Sequence, residues 1–281
     1  MARTSILTDS TSGLDPEEAR PLGIAIIPIH IEIGGKTYRE GIDLSAGELF
    51  QLLAADSAVP RTSSPTVGEF HDLFRTLARE SEEIIALHVS SRLSRTVSLA
   101  RQAAQSFIGR GRITVVDSRL VATPLAWLAR AAAEAAAAGV DTAEIVRLIR
   151  AMTSHMYLAF FSESMEYLRE EGLLRRAPAV ATASAPTRPL LLIEEGEIIP
   201  LERSRSRGRL VDRLFEFVTE FPRVERLAIL QGRPLPEAIE LATLINEEMP
   251  DLAVETTSYP ASVAAQVGLE ALGVAVYEGL A

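Results

Sequence analysis

Apolar and polar positions alternate between two rhythms along the first half of this chain. Short apolar runs end in polar turns: SILTDS (5–10), EEIIALHV (82–89) and ITVVDS (113–118). Segments with apolar residues three and four apart follow them: GEFHDLFRTLARE (68–80), TVSLARQAAQSF (96–107), PLAWLARAAAEAAAAG (124–139) and DTAEIVRLIRAMTS (141–154). Period-two and continuous apolar runs read as strands, and the three-four spacing reads as helix. Strands alternating with helices predict a mostly parallel, Rossmann-like sheet with helices on both faces. Such folds place ligands at the carboxyl ends of their strands.

Punctuation refines this picture. IAIIPIHIEI (24–33) contains Pro28, which predicts an edge or bent strand, and GGKTYRE (34–40) reads as a turn. Ser45 with Glu48 three residues on forms a capping-box pattern. RTSSPT (61–66) reads as a polar loop entering a helix, and Asp141 as a helix N-cap. After about residue 155 the texture changes. YLAFFSESMEYLREEGLL predicts a strand and a helix, and RPLLLIEEGEIIPLERS a hairpin. GRLVDRLFEFVTEF predicts an amphipathic helix, followed by alternating strand and helix to the end. The expected fold class is α/β with two domains: a mostly parallel sheet domain over residues 1–154 and an α+β domain over 155–281.

Composition narrows the function. A hydrophobic share of 47% with 23% charged residues is ordinary for a soluble globular protein. The absence of cysteine excludes disulfides and thiol nucleophiles. The four histidines (His30, His71, His88, His155) lack any zinc-site spacing, so no metal is expected. Neither GxxxxGK[ST] nor GxGxxG is present, so no nucleotide cofactor is expected. A net charge of −10 argues against nucleic acid as a partner, and with it against a role in transcription. Ala126–Val140 carries Arg130 and Glu134 and is too short to span a bilayer, so no stable membrane insertion is expected. MARTSILTDSTS contains no long apolar region of the secretory kind, which gives a cytoplasmic expectation.

The chemistry concentrates in hydroxyl-rich turns after apolar strands: Thr8-Asp9-Ser10-Thr11, Val89 to Thr96, and Asp117-Ser118, with Arg61 to Thr66 as a fourth polar segment. Helix capping explains one hydroxyl at each helix start. Free amides, a helix dipole and several hydroxyls also make a small anion site. No GxSxG accompanies the serines. Two readings stay open at this level: a site that holds an anionic group without reacting on it, or an enzyme on a small anionic substrate using Asp9, Asp117 and the serines. Phe160, Phe161, Met165, Leu190, Leu191 and Leu192 read either as core or as the wall of an apolar cavity.

In order and spacing, TDS, IIPIHI with GGKTYREG, RTSSPT, VSSRLSRT, VVDS and MEYLREEG resemble the DegV family along nearly the whole chain. The resemblance implies a bacterial protein that holds one long-chain fatty acid in a tunnel between two domains, its carboxylate at the hydroxyl-rich turns. It implies a carrier, not an enzyme, that presents the acyl chain to a fatty acid kinase or another lipid enzyme; in some members the partner kinase makes acyl phosphate for phospholipid synthesis. Carried over by position, the family's TSxP threonine is Thr62, followed by Ser63, and its SSxLSGT serines are Ser90, Ser91 and Ser94. The arginine after the second-domain hairpin is Arg205. The chain departs from the family pattern at Arg95, where the family has glycine, and at 171–174, where GGRI is lost. The late HxGPG motif is replaced by Gln266-Val267-Gly268-Leu269-Glu270. The expected ligand-binding residues are therefore Thr62, Ser63, Ser91, Ser94, Arg95, Arg205 and Gln266, with Arg95 either replacing a lost basic group or projecting into solvent.

Overall fold

The computed structural model describes residues 2–43, 46–55, 60–108, 112–162, 168, 188–204 and 208–280. Its first sheet has four parallel strands: β1 (Ala2–Asp9), β2 (Ile24–Ile27), β6 (Ser81–His88) and β7 (Arg112–Asp117). Their spatial order is β2-β1-β6-β7. The chain fills one side of β1 before crossing to the other, so the topology switches between β1 and β6. The turns after those two strands, Ser10–Ser12 and 89–95, lie at the carboxyl edge beside the switch, where this architecture opens a crevice.

The apolar run at 24–33 is two strands in two sheets. Proline lacks the amide that a continuing ladder requires. β2 ends at Ile27 on the sheet edge, and after Pro28 and Ile29 the chain enters β3 (His30–Ile33). β3 pairs antiparallel with β4 (Lys36–Arg39) and β5 (Arg61–Ser63) in a separate three-stranded sheet. Two expectations are corrected here. The segment 34–40 is a turn at Gly34-Gly35 followed by a strand, and the polar loop at 61–66 begins as a strand, with Thr62 opposite Ile31. The polar composition of both hid their pairing.

The first-half helices are α1 (Pro16–Ala19), α2 (Ala46–Ala55), α3 (Val67–Leu77), α4 (Thr96–Ala104), α5 (Thr123–Ala137) and α6 (Thr142–Thr153). Ser45, expected to cap α2, lies outside the described residues. A capping box does form at α3: Thr66 accepts from the Glu69 amide, and Glu69 Oε2 accepts from the Thr66 amide at 2.7 Å. Asp141 caps α6 as expected, accepting from Ala143 and Glu144 amides. Phe70 and Phe74 of α3 are fully buried against Leu7, Ile84 and Ala86 of the sheet. Each such side chain contributes about 1.5–3 kcal/mol of burial.

The second sheet contains β8 (Met156–Phe161), β9 (Arg188–Glu194), β10 (Glu197–Ser204), β11 (Arg226–Gln231), β12 (Val254–Ser258) and β13 (Leu272–Tyr277). The order is β10-β9-β8-β13-β11-β12, mixed in direction, with only β11 and β12 parallel. α7 (Gly208–Thr219) and α8 (Pro236–Glu248) pack on one face around Val211, Leu214 and Leu241. α9 (Ala261–Val267) reaches back to the first half, where Ala261 is buried with Ile31, Ile33 and Leu49. The helix expected over MEYLREEG lies outside the described residues apart from Leu168, which is buried. Met165 is likewise outside them.

α5 joins the halves. Its residues Leu125, Trp127 and Leu128 are buried in one cluster with Ile6 of β1 and Leu158 and Phe160 of β8. Alanine-rich helices pack closely on both sides at little side-chain entropy cost. Arg226 of β11 lies over the Trp127 ring at 4.8 Å.

Candidate ligand-binding site

A cavity of about 590 Å³ opens at the carboxyl edge of β1 and β6 and runs between the two sheets. This volume falls in the range of small-molecule sites. Its apolar wall comes from both halves, including Val89, Leu99 and Val121 from the first and Leu158, Phe160 and Ile193 from the second. Its polar wall holds Thr62, Ser63 and Ser64 from β5 and the residue after it. Ser91, Ser94 and Arg95 come from the turn after β6, and Gln266 from α9. Six of the seven expected residues are thus brought together on one cavity. Arg205 lies outside the described residues. Of the apolar candidates, Phe160 is wall, Leu190, Leu191 and Phe161 are core, and Leu192 lines a different groove.

The hydroxyls have different duties. Ser94 Oγ shares hydrogen bonds with Ser64 Oγ at 2.9 Å and Thr96 Oγ1 at 2.8 Å, and accepts from the Thr96 amide at 3.3 Å. It therefore holds the first amide of α4 from the residue before the N-cap while facing the cavity, and joins the 61–66 segment to the 89–96 turn. Ser91 is committed elsewhere: its Oγ donates to Asp117 Oδ2 at 2.5 Å and its amide to Asp117 Oδ1 at 3.1 Å. Thr62 Oγ1 accepts from Gln266 Nε2 at 2.9 Å, whereas Gln266 Oε1 is buried without a partner among the described residues. Arg95 is exposed, with α-helical backbone angles, and forms no ion pair with a described residue. Its neighbour Arg92 has Nε 3.5 Å from Glu197 Oε1.

The aspartates that an enzyme would need are occupied. Asp9 is fully buried and accepts from Thr11 Oγ1 at 2.5 Å, the Val89 amide at 2.9 Å and His88 Nδ1 at 3.0 Å. Asp117 accepts from Ser91 and from the Arg119 amide at 3.0 Å. Both tie strand ends to their turns. No group of three or more acidic or histidine side chains placed to hold a metal occurs among the described residues.

Sequence reasoning missed two members of the site. Ser64 links the 61–66 segment to the 89–96 turn through its hydrogen bond to Ser94, and nothing in the spacing of RTSSPT sets it apart from Ser63. The other is Glu40, 8% exposed, which stands behind the cavity wall and not on it. It accepts from Ser10 Oγ at 2.6 Å, Ser262 Oγ at 2.7 Å and the Ser262 amide at 2.9 Å. It thereby fixes the start of α9, the helix that carries Gln266. Burial pushes its carboxyl well above the usual range, a shift opposed by the Ser10 and Ser262 hydrogen bonds and reinforced by nearby Asp9. A lone glutamate between Arg39 and Gly41 carries no signal for this role.

Comparison with known proteins matches this arrangement to one family. A family model described as an uncharacterised protein, DegV family, matches residues 3–279. A DegV domain-containing protein of Deinococcus radiodurans is 32% identical over 280 residues, covering 97% of each chain. Protein DegV of Bacillus subtilis is 25% identical, covering 96% of this chain and 97% of its own. The fold is shared with a fatty-acid-binding DegV family protein from Thermus thermophilus, at TM-score 0.87, 24% identity and coverage of 99% and 100%. It is shared too with a stearic acid-binding protein from Eubacterium ventriosum, at TM-score 0.86, 19% identity and 98% of both chains. With the model matching nearly end to end and a relative at this identity over the same span, the chain belongs to the DegV family.

Proposed function

We propose that this protein is a carrier that binds one long-chain fatty acid, its carboxylate at Thr62, Ser63, Ser94 and Gln266 and its chain along the apolar wall. The observation that carries this reading is a cavity with clustered hydroxyls on one side, apolar residues from both sheets on the other, and both nearby aspartates already saturated. The relatives named as fatty-acid-binding support it. Gln266 Nε2 spends one hydrogen on Thr62 Oγ1, which leaves its second N–H and the Thr62 hydroxyl hydrogen to donate to an anion. Arg95 adds a cation at the same wall, and Ser91 acts through Asp117 to hold the turn. We extend the same role to Arg205.

Energetics divide the work. Burying some fifteen methylenes at about 0.8 kcal/mol each gives roughly 12 kcal/mol of gross driving force. A hydrogen bond to a charged group contributes about 1.5–3 kcal/mol, and association costs remove much of the sum. The chain supplies affinity, and the hydroxyls supply orientation. The division at 154/155, a cytoplasmic location and delivery of the acyl group to a fatty acid kinase complete the proposal. No helix among the described residues is long and apolar enough to cross a membrane. The test is organic extraction of mildly purified protein followed by mass spectrometry. Near-stoichiometric long-chain acid is expected; no extracted acid together with no binding of added oleate or palmitate rejects the carrier reading.

A further inference from the structure

The tip of the β9–β10 hairpin separates the cavity from an outer groove. Ile193 and Ile198, paired across the hairpin, both line the cavity. Leu192, Glu194 and Glu195 line a second groove of about 690 Å³, and Ile193 lines both spaces. One strand is therefore the partition. The ladder from β8 ends at the pair Leu158 and Ile193, and β10 is the edge of its sheet. Beyond Ile193 the tip has no β8 pairing to brace it.

Ile193 and Ile198 are buried in the core shared by both halves, and polar contacts tie the tip itself to the first half of the chain. Ser90 Oγ donates to the Gly196 carbonyl at 2.7 Å while accepting from the Arg92 amide of its own turn at 3.1 Å, Arg119 pairs with Glu195, and Arg92 approaches Glu197 at 3.5 Å. Exposure ranks these contacts. The Arg119 and Glu195 side chains are 57% and 72% exposed, so that pair contributes little. Ser90 is fully buried and Gly196 is buried with it. Gly196 has φ of +82°, and a Cβ there would stand 2.4 Å from Ser90 Oγ and 3.3 Å from the Arg119 Cα. The close approach requires glycine at the tip and a small hydroxyl opposite it.

We infer that the hairpin tip is the gate through which the ligand enters and leaves, and that Ser90 is its latch, a positioning residue and not a head-group contact. The inference rests on the carrier reading. One neutral hydrogen bond on an edge hairpin is a hold that opens and recloses, and its loss raises the open population about fivefold. A gate limits entry and exit alike, so both rates rise together and the equilibrium constant barely moves. Loss of a head-group contact instead raises the dissociation rate and the Kd.

Stopped-flow exchange of a fluorescent long-chain fatty acid on the full chain separates these outcomes. Ser90→Ala is expected to raise the association and dissociation rates by about fivefold each, with Kd changed less than about twofold. Arg119→Ala, which removes only the exposed pair, is expected to change both by less than about twofold. Hydrogen exchange without ligand gives a second readout: amides of 194–198 should exchange faster in Ser90→Ala, while β6 and β13 keep their protection. Unchanged rates, a rise in Kd carried by dissociation alone, or a larger effect from Arg119→Ala overturns the latch. If the unaltered protein binds no acid, the carrier reading has failed on its own, and unchanged hairpin protection in Ser90→Ala still rejects the latch.

Discussion

Gln266 Nε2 donates to Thr62 Oγ1 across 2.9 Å, joining residues 204 apart in the chain. One end of this bond is on β5 and the other on α9, so it closes the cavity's polar wall from two sides. If both groups serve one carboxylate, their effects are coupled. Thr62→Val and Gln266→Ala should each weaken oleate binding by about tenfold, and the double variant by less than the product, because neighbours sharing a partner are not additive. Calorimetric titration with oleate and its methyl ester checks this: the losses should apply to the acid and spare the ester. Strictly multiplicative losses, equal for both ligands, would remove Thr62 and Gln266 from the anion site.

Ser94 has a structural duty beside the proposed one, since its Oγ accepts from the Thr96 amide at the start of α4. Ser94→Ala should lower apo stability by about 1 kcal/mol, the usual net contribution of one hydrogen bond. It should also weaken fatty-acid binding by about tenfold. Urea unfolding of ligand-free protein reads the first effect and titration the second. A stability loss with unchanged affinity would leave Ser94 with its turn-holding duty only.

The two larger sheets are legible wherever apolar runs are bounded by turn residues, as in β1, β6, β7 and β13. Pro28 announced its own bend, because a missing amide acts locally. What stayed hidden depends on contacts distant in sequence. β4 and β5 are short, polar strands whose reason to extend is pairing with β3, and Thr37 or Arg61 alone carries no such information. Thr66 and Glu69 carry the same capping-box spacing as Ser45 and Glu48, but the run of hydroxyls before Thr66 reads equally well as loop. For the site, hydroxyl density located the wall, but it could not show that Ser91 is spent on Asp117 and Ser90 on Gly196.

Arg95 occupies the N-cap position of α4 without a side-chain cap bond. A cation there opposes the helix dipole, and glycine at a cap costs only a few tenths of a kcal/mol. Arg95→Gly should therefore leave apo stability nearly unchanged. If Arg95 supplies charge to the carboxylate, the variant should bind oleate about threefold more weakly at low salt, and the difference should fade above physiological ionic strength because exposed charges are screened. Equal affinity at low salt would mean that Arg95 serves the solvent and not the ligand.

Glu40 offers the clearest pH signature. Burial raises its carboxyl pKa in the folded protein, so the folded state holds the proton more tightly than the unfolded chain. Where the unfolded state binds fewer protons, stability falls as pH rises. The loss begins near the unfolded glutamate value of about 4.3 and continues until pH passes the raised folded value, above which the cost is constant. Glu40→Gln removes that charge while keeping the geometry: Oε1 still accepts the Ser262 amide, and an NH₂ in place of Oε2 donates to the Ser10 and Ser262 hydroxyls. Glu40→Leu instead strands the buried Ser262 amide, at about 1–3 kcal/mol. Urea unfolding from pH 4 to 8 should show the glutamine variant gaining on the unaltered protein as pH rises, whereas the leucine variant should be less stable than the glutamine variant throughout. A stability difference between the glutamine variant and the unaltered protein that stays constant with pH would show that Glu40 titrates alike in the folded and unfolded states. α9 would then be held by hydrogen-bond geometry alone.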